Sequence, residues 1–512
     1  MNSVVIIGGG LGGLFTGAIL AKEGLKVYVV EKNATIGGGL QTFRRFGKEF
    51  DTGMHIVGGF QKGGSVRRIC QYLGIADDIR LKDVDEDCSD RLYFAEDQQY
   101  YTIAKGREGF IESLARSFPL ERDNLRRYVD AMYAMAGKVD LYNLRESQGS
   151  SNLFSGDNDF LMPTSEFIAK YVSDERLRSV LAYMNPLHGG MAGNTPAYVH
   201  TLISILYING ESRFIDGSSH LADLLAGVIT DHGGEISTAE AAEWLQVTDR
   251  HVDYLRTSKG RQLAADWYIS DIHPCTLLKL MDAHAFPKSY RDRLDSIPNA
   301  HSAFSLYLKM KENSFPYINH TEYFMTRYAD IWNFSRSDKP WPLGLMMMTP
   351  PVTGQGPWSQ KVLVTAPMPF NMAARWEHTQ TGRRGADYEQ WKREKADALL
   401  ALIEEMHPGF RECIEQMETS SPLTIRDYYA VKDGSISGFA KDCRNIALSQ
   451  VPVVTKIHNL LLTGQNCNLH GICGVPLTAI TTCEAILGLN HIIRRINACT
   501  EPNLKSQTSN LK

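Results

Sequence analysis

Unbroken apolar runs alternate with glycine-rich breaks at both ends of the chain. Residues 4–7 read Val-Val-Ile-Ile with no polar position between them. A strand covered on one face would alternate, so this run predicts a parallel strand buried on both faces. Gly8, Gly10, Gly12 and Gly13 follow at once, then a helical stretch over 14–22 that Gly24 terminates. Residues 27–30 form a second apolar run that stops at Glu31. Far along the chain, Leu460–Leu462 predicts another short strand, turned by Thr463 and Gly464. A loop broken by Gly471 and Gly474 then enters an apolar helix, with its entry over 474–477. Between these ends, the 3.6-residue period predicts helices over 110–118, 125–139, 221–231 and 388–406. Apolar runs at 267–270, 303–310 and 361–366 predict strands, and the densest run, 343–348, is stopped by Pro350 and Pro351.

The N-terminal segment has a chemical meaning beyond its pattern. Gly8, Gly10 and Gly13 stand as G-x-G-x-x-G between a strand and a helix, and Glu31 closes the second strand 18 residues after the third glycine. Gly8 allows the tight turn, Gly10 admits a pyrophosphate to the backbone, and Gly13 with Gly17 lets the helix approach the sheet. The helix N-terminus offers free N–H groups and partial positive charge to an anion. Glu31 suits the hydroxyls of a ribose and repels a 2′-phosphate. The complete unit therefore predicts a dinucleotide site, whereas the glycines alone would predict only a turn.

Composition narrows the class without naming the chemistry. The 512 residues exceed what one small core organises, so two or more domains are expected. Hydrophobic residues make up 43% and the net charge is −4, with no basic block, so no nucleic-acid partner is expected. Nine cysteines at irregular spacing, without a CxxC pair, predict free thiols of a reducing cytoplasm and no metal site. No run reaches the length of a membrane span, and the N-terminus lacks a secretory pattern, which leaves peripheral contact with the inner face of a membrane open.

Residues 33–59 add Gly37, Gly38, Thr42, Gly47, Asp51, Gly53 and His55, the last three within Asp-Thr-Gly-Met-His. Here the chain resembles the phytoene desaturase, carotenoid isomerase and retinol saturase family of FAD enzymes. Gly39 stands where the desaturase and amine-oxidase branches carry arginine, which points toward the saturase-like branch. Residues 460–477 resemble the closing FAD motif of the same family, with Gln465 and Asn466 replacing its usual carboxylate. Residues 214–247 and 418–439 resemble further family segments, and Ala242 and Glu243 fall where members offer backbone groups to the adenine.

The resemblance implies an α/β chain: a discontinuous FAD-binding Rossmann-like domain over 1–105, 214–285 and 440–495, with an inserted α+β substrate domain over 106–213 and 286–439. Residues from 499 read as a disordered polar tail. The implied cofactor residues are Gly8, Gly10, Gly12, Gly13, Glu31, Lys32, Gly38, Gly39, Leu40, Thr42, Asp51, Gly53 and His55 in the first half. Ala242, Gly464, Gln465, Gly474, Val475, Pro476 and Leu477 complete the set. The implied activity is oxidoreduction at C=C bonds (saturation, desaturation or isomerisation) of an apolar isoprenoid polyene of the carotenoid or retinoid kind.

A flavin carries its own chemistry, so a shaped apolar cavity matters more than a triad. No GxSxG or HExxH motif occurs. His55 is the leading polar candidate, as a proton donor, a brace for the flavin or a core histidine; His188 and His470 rank below it. Tyr183, Met191, Tyr207, Phe324, Met346 and Met348 are candidate lining residues, and Asp51 is read as a brace for its loop. No second dinucleotide unit is evident, so NAD(P)H would bind transiently or electrons would pass to or from a partner. Two alternatives remain at this stage: an amine-oxidase-like enzyme attacking C–N bonds, and a non-catalytic flavin-bound scaffold or redox sensor.

Overall fold

The computed structural model describes residues 2–53, 55–147 and 159–508. Two sheets organise it. The smaller has five parallel strands in the order Glu235–Ser237, Lys26–Val30, Ser3–Ile7, Trp267–Ser270 and Leu460–Leu462. Val4, Val5, Ile6 and Ile7 are buried as their unbroken run predicts, each contributing about 1.5–3 kcal/mol. Helices Leu11–Lys22, Ser219–Asp231 and Gly471–Leu487 pack together beside the strands. A Cβ on Gly17 would lie 2.9 Å from Ile229 Cδ1, so glycine there sets the close approach of the first two.

The larger sheet has seven strands, running Ile414–Ser420, Ser302–Met310, Lys361–Met368, Gly344–Met348, Thr321–Met325, Asp90–Phe94 and Gln99–Ile103. All neighbours are antiparallel except Thr321–Met325 with Asp90–Phe94. Its strand Gly344–Met348 is buried throughout because both faces are covered. Leu345 and Met347 join the core beneath helix Ala386–Met406, while Met346 and Met348 join the core shared with helices Arg122–Gly137 and Ala197–Asn209.

Three expectations need correction. The border at 105 falls too late, since Asp90–Phe94 and Gln99–Ile103 belong to the larger sheet, recruited by the apolar Thr321–Met325 strand. The closing helix starts at Gly471, a turn before the predicted entry at Gly474, because burial of Ile472 and Cys473 favours winding the first turn. Helix His491–Thr508 occupies most of the predicted tail, anchored by Ile492, Ile493 and Ile496 against the core beside helix Ser65–Leu73; residues 509–512 lie outside the described residues. Among the described residues no helix is long and apolar enough to cross a membrane.

Candidate functional site

Three adjacent parallel strands deliver the site from their C-terminal ends. Ser3–Ile7 leads into Gly8, Trp267–Ser270 into Asp271, and Leu460–Leu462 into Thr463 and Gly464. Crevices beyond such strand ends are where open α/β sheets bind ligands. The two glycine loops meet there: a Cβ on Gly12 would lie 2.8 Å from Gly464 Cα. Just behind, Thr16 and Thr463 share a buried 2.9 Å hydroxyl hydrogen bond that ties the two chain ends. Neither helix entering the crevice has a side-chain cap at its N-terminus, at Gly10 or at His470. Their first-turn N–H groups thus point to the crevice without a capping side chain of their own, although Gly13 N–H in the first helix already faces the Asp271 carboxylate.

A cavity of about 400 Å³ opens from these loops toward the larger sheet. Gly8, Gly10, Gly12, Glu31 and Lys32 form its nucleotide end, with Ala242 beside them. Gly38, Gly39, Gly53 and His55 contribute from the next segment, and Gln465 and Val475 from the closing one. Nothing stands within 4 Å of a Cβ placed on Gly39, so the position that is arginine in other branches faces open space. At the far end, Ala303, Ser305, Met346 and Thr365 of the larger sheet form the wall, together with Ile56 and Tyr207.

Glu31 is fixed before any ligand arrives. Its Oε2 accepts from Gly9 N and its Oε1 from Asn33 N, both at 2.8 Å, which holds the carboxylate at the end of its strand. Burial lowers the Lys32 ammonium, offset in part by Glu31 and Asp427. Burial also drives the His55 imidazole down to about 4, so the ring is neutral near pH 7, and its Nδ1 is buried without a partner. His470 likewise lines the cavity, carries a buried Nε2 without a partner, and is lowered to about 3, first by burial and then by Lys441.

Other predicted residues stand behind the wall. Gly13 packs on Gly8, Gly464 leaves room for the Asp271 carboxylate, and Gly474 allows the close approach of the Leu469 backbone. Leu40, Thr42, Pro476 and Leu477 do not line the cavity. Asp51 is buried and accepts from Ser218 N at 2.7 Å and Ser218 Oγ at 2.8 Å, so it braces its loop. Of the candidate lining residues, Tyr207 and Met346 reach the cavity, whereas Tyr183, Met191, Phe324 and Met348 do not. His188 is buried outside the wall.

The residue that sequence reasoning passed over is Asp271. It directly follows Trp267–Ser270, the strand between Ser3–Ile7 and Leu460–Leu462, so its carboxylate enters the crevice between both glycine loops. A Cβ on Gly10 would lie 2.7 Å from Asp271 Oδ2, and one on Gly12 would collide with Oδ1. Burial pushes this carboxyl up to about 7, against the N–H groups of Gly13 and Gly10, which favour its charge; Glu31 adds repulsion. The available signal was positional: the first residue beyond a buried parallel strand in the middle of the sheet.

Paired glycine loops, uncapped helix N-termini, an anchored Glu31 and two partnerless imidazole nitrogens fit a dinucleotide bearing a polar ring system. Comparisons with known proteins agree with this construction. A family model for an NAD(P)-binding Rossmann-like domain matches residues 6–73. The chain is similar to all-trans-retinol 13,14-reductase of Rattus norvegicus, 25% identical over 535 residues, covering 95% of this chain and 86% of the relative. It is also similar to prolycopene isomerase 2 of an Oncidium hybrid cultivar, 21% identical over 487 residues, covering 90% of this chain and 80% of the relative. Among solved structures, an oxidoreductase from Methanosarcina mazei aligns with TM-score 0.62 and 15% identity over 94% of this chain and all (100%) of that one. A putrescine oxidase aligns with TM-score 0.63 and 12% identity over 95% and 99% of the two chains, a likeness of fold alone. The chain is thus a homologue of the all-trans-retinol 13,14-reductases and prolycopene isomerases, with a Rossmann-like dinucleotide-binding segment and a fold shared with solved oxidoreductases.

Proposed function

We propose that this chain is an FAD-dependent oxidoreductase acting on C=C bonds of an apolar isoprenoid polyene of the carotenoid or retinoid class. The observation that carries the proposal is the continuity of one cavity, which runs from the glycine loops to the apolar wall of Met346, Ala303 and Ile56. When bound, FAD supplies a ring that exchanges a hydride, or two electrons and a proton, with substrate. The chain's own groups do the rest. The amide of Gly12 and the first helix N-terminus would hold the pyrophosphate, joined by the Gly10 and Gly13 amides where they turn from Asp271, while Gly8, whose N–H donates to Val30 O at 2.9 Å, makes the turn. Glu31 holds a ribose, backbone at Ala242 faces the adenine, and Lys32 adds positive charge nearby. Gly38, Gly39 and Gly53 leave room for the cofactor, with Gly464 and Gly474 shaping the closing loop. Gln465 and the N-terminus of helix Gly471–Leu487, near Val475, face the ring, where helix donors stabilise negative charge. His55, neutral and partnerless at Nδ1, orients the ring by a hydrogen bond.

NAD(P)H, where used, binds transiently, and a partner or small molecule otherwise supplies or removes electrons. The protein acts in the cytoplasm, touching a membrane at most peripherally to collect its apolar substrate. Two incubations test the reading: all-trans-retinol with the reduced FAD-loaded protein, and prolycopene with both redox forms. A mass change of two hydrogens, or an isomer of unchanged mass, supports it. FAD-loaded protein that alters neither polyene contradicts it and favours a non-catalytic flavin scaffold; turnover of an amine instead would favour C–N chemistry.

A further inference from the structure

Beside the substrate end of the cavity lies a buried group of acids and phenols that the cofactor site does not use. Asp90 and Glu211 are each 1% exposed, as is Arg213, the cation between them. Asp90 Oδ2 accepts from Tyr183 Oη at 2.7 Å, while its Oδ1 is buried without a partner. Thr321, in register with Asp90 on the neighbouring strand, donates to Glu211 Oε1 at 3.0 Å and accepts from Arg213 at 3.0 Å. Burial and mutual repulsion drive the Glu211 carboxyl well up; burial likewise drives Asp90 up to about 7. Arg213 balances one negative charge, so the pair retains a proton near neutral pH.

Phenols connect this pair to the cavity. The Tyr183 ring lies edge-on to Tyr323 at 5.3 Å, and the Tyr323 hydroxyl is buried without a partner on a small annex that shares Leu187, Met346 and Thr365 with the main cavity. Tyr207, four residues before Glu211 at the end of helix Ala197–Asn209, lines the main cavity and has no hydrogen-bond partner for its hydroxyl among the described residues. Burial first, and then repulsion from both carboxylates, disfavours ionisation of Tyr207 and Tyr323, so the two phenols keep their protons at any working pH. Lys105, which also reaches Asp83 at 3.6 Å, is a further charge near Glu211. A structural brace would satisfy its polar atoms; here an Asp90 oxygen and two phenols stay open, and one of those phenols faces the cavity.

We propose that Tyr207 is the proton donor for saturation of a substrate C=C bond, resupplied by the Asp90–Glu211 pair. This rests on the C=C reading above. In the step the π bond breaks, one carbon receives a hydride with its electron pair from the reduced flavin, and the other receives the Tyr207 proton. Among the described residues no hydrogen bond links the phenol to the carboxyl pair, so it regains its proton from the pair by way of solvent in the cavity, and the negative charge ends beside Arg213 and not on the phenol. Isomerisation needs no net proton, so this device suits saturation.

The test loads each protein with FAD, reduces it with dithionite without oxygen, and adds all-trans-retinol in detergent micelles in D2O. Wild type is expected to give a saturated product carrying solvent deuterium. Tyr207→Phe is expected to slow product formation at least ~100-fold, with flavin content and dithionite reduction unchanged. Glu211→Gln is expected to alter the pH profile and solvent isotope effect of the same step. Separately, infrared spectra of cofactor-free protein at neutral pH should show a protonated-carboxyl stretch that Glu211→Gln diminishes. Product formed by Tyr207→Phe at the wild-type rate overturns the donor assignment alone, and a missing carboxyl band overturns the reservoir. No change of retinol by FAD-loaded wild type overturns this inference, and the C=C reading falls with it only if prolycopene is also left unaltered.

Discussion

The nucleotide end and the substrate end of the one cavity are built on different physical rules. The first is made mostly of backbone: glycines where side chains would collide, uncapped helix ends, and two carboxylates, anchored Glu31 and desolvated Asp271. The second is made of side chains brought together from remote segments, such as Tyr207, Met346 and Ile56. Backbone sites tolerate almost no added atom, whereas side-chain sites tolerate reshaping. Substitutions that add an atom at the first end should therefore cost more than those that remove one at the second.

The largest effect is expected at Gly12. A methyl group there meets Asp271 and the Gly464 backbone, so Gly12→Ala should weaken FAD binding by about 1–3 kcal/mol, roughly 5- to 150-fold. Titration with FAD, beside a thermal melt of the cofactor-free protein, separates lost binding from lost folding; unchanged affinity would remove Gly12 from the site. Next comes Asp271. Its carboxyl, raised to about 7, is neutral below that pH and charged above it. A charged carboxylate repels a pyrophosphate, so FAD affinity should fall as pH rises through about 7, approaching tenfold per pH unit at most. Asp271→Asn should flatten this profile and bind more tightly on the alkaline side. An identical pH profile in the variant would show that Asp271 stays clear of the cofactor.

A smaller effect is expected at His55, which loses its proton at about 4 and so stays neutral above pH 5. His55→Ala should weaken FAD by about 0.5–1.5 kcal/mol, with no pH dependence above that point. A loss that grows with pH there would mean that the ring is charged in the holoprotein. The smallest effect belongs to Thr463→Val, which removes the hydroxyl link to Thr16 and should lower stability by about 1 kcal/mol. Chemical denaturation measures it, and no loss would mean that the chain ends hold together without that bond.

The same contrast explains what the sequence disclosed. The glycine unit was legible from Val4 to Glu31 because backbone constraints are local: turn, close approach and helix start all fall within one stretch. The strands Trp267–Ser270 and Leu460–Leu462 were legible too, with bounds the structure repeats. Asp271 was not, since an aspartate after a strand has many uses and only the strand order sets it between two glycine loops. Tyr207 and Met346 could be nominated among six lining residues, yet Met346 and Met348 share one face of their strand, and only position along that strand in the folded sheet puts Met346 on the cavity. Asp90 and Glu211 gave no local sign, because they meet through Thr321, which pairs with Asp90 in a parallel register and donates to Glu211.

Flavin content of the intact chain tests the central claim most directly. Protein purified under native conditions, then given excess FAD and desalted, should be yellow and carry a single FAD per chain. A colourless chain that retains no FAD under those conditions would contradict the account.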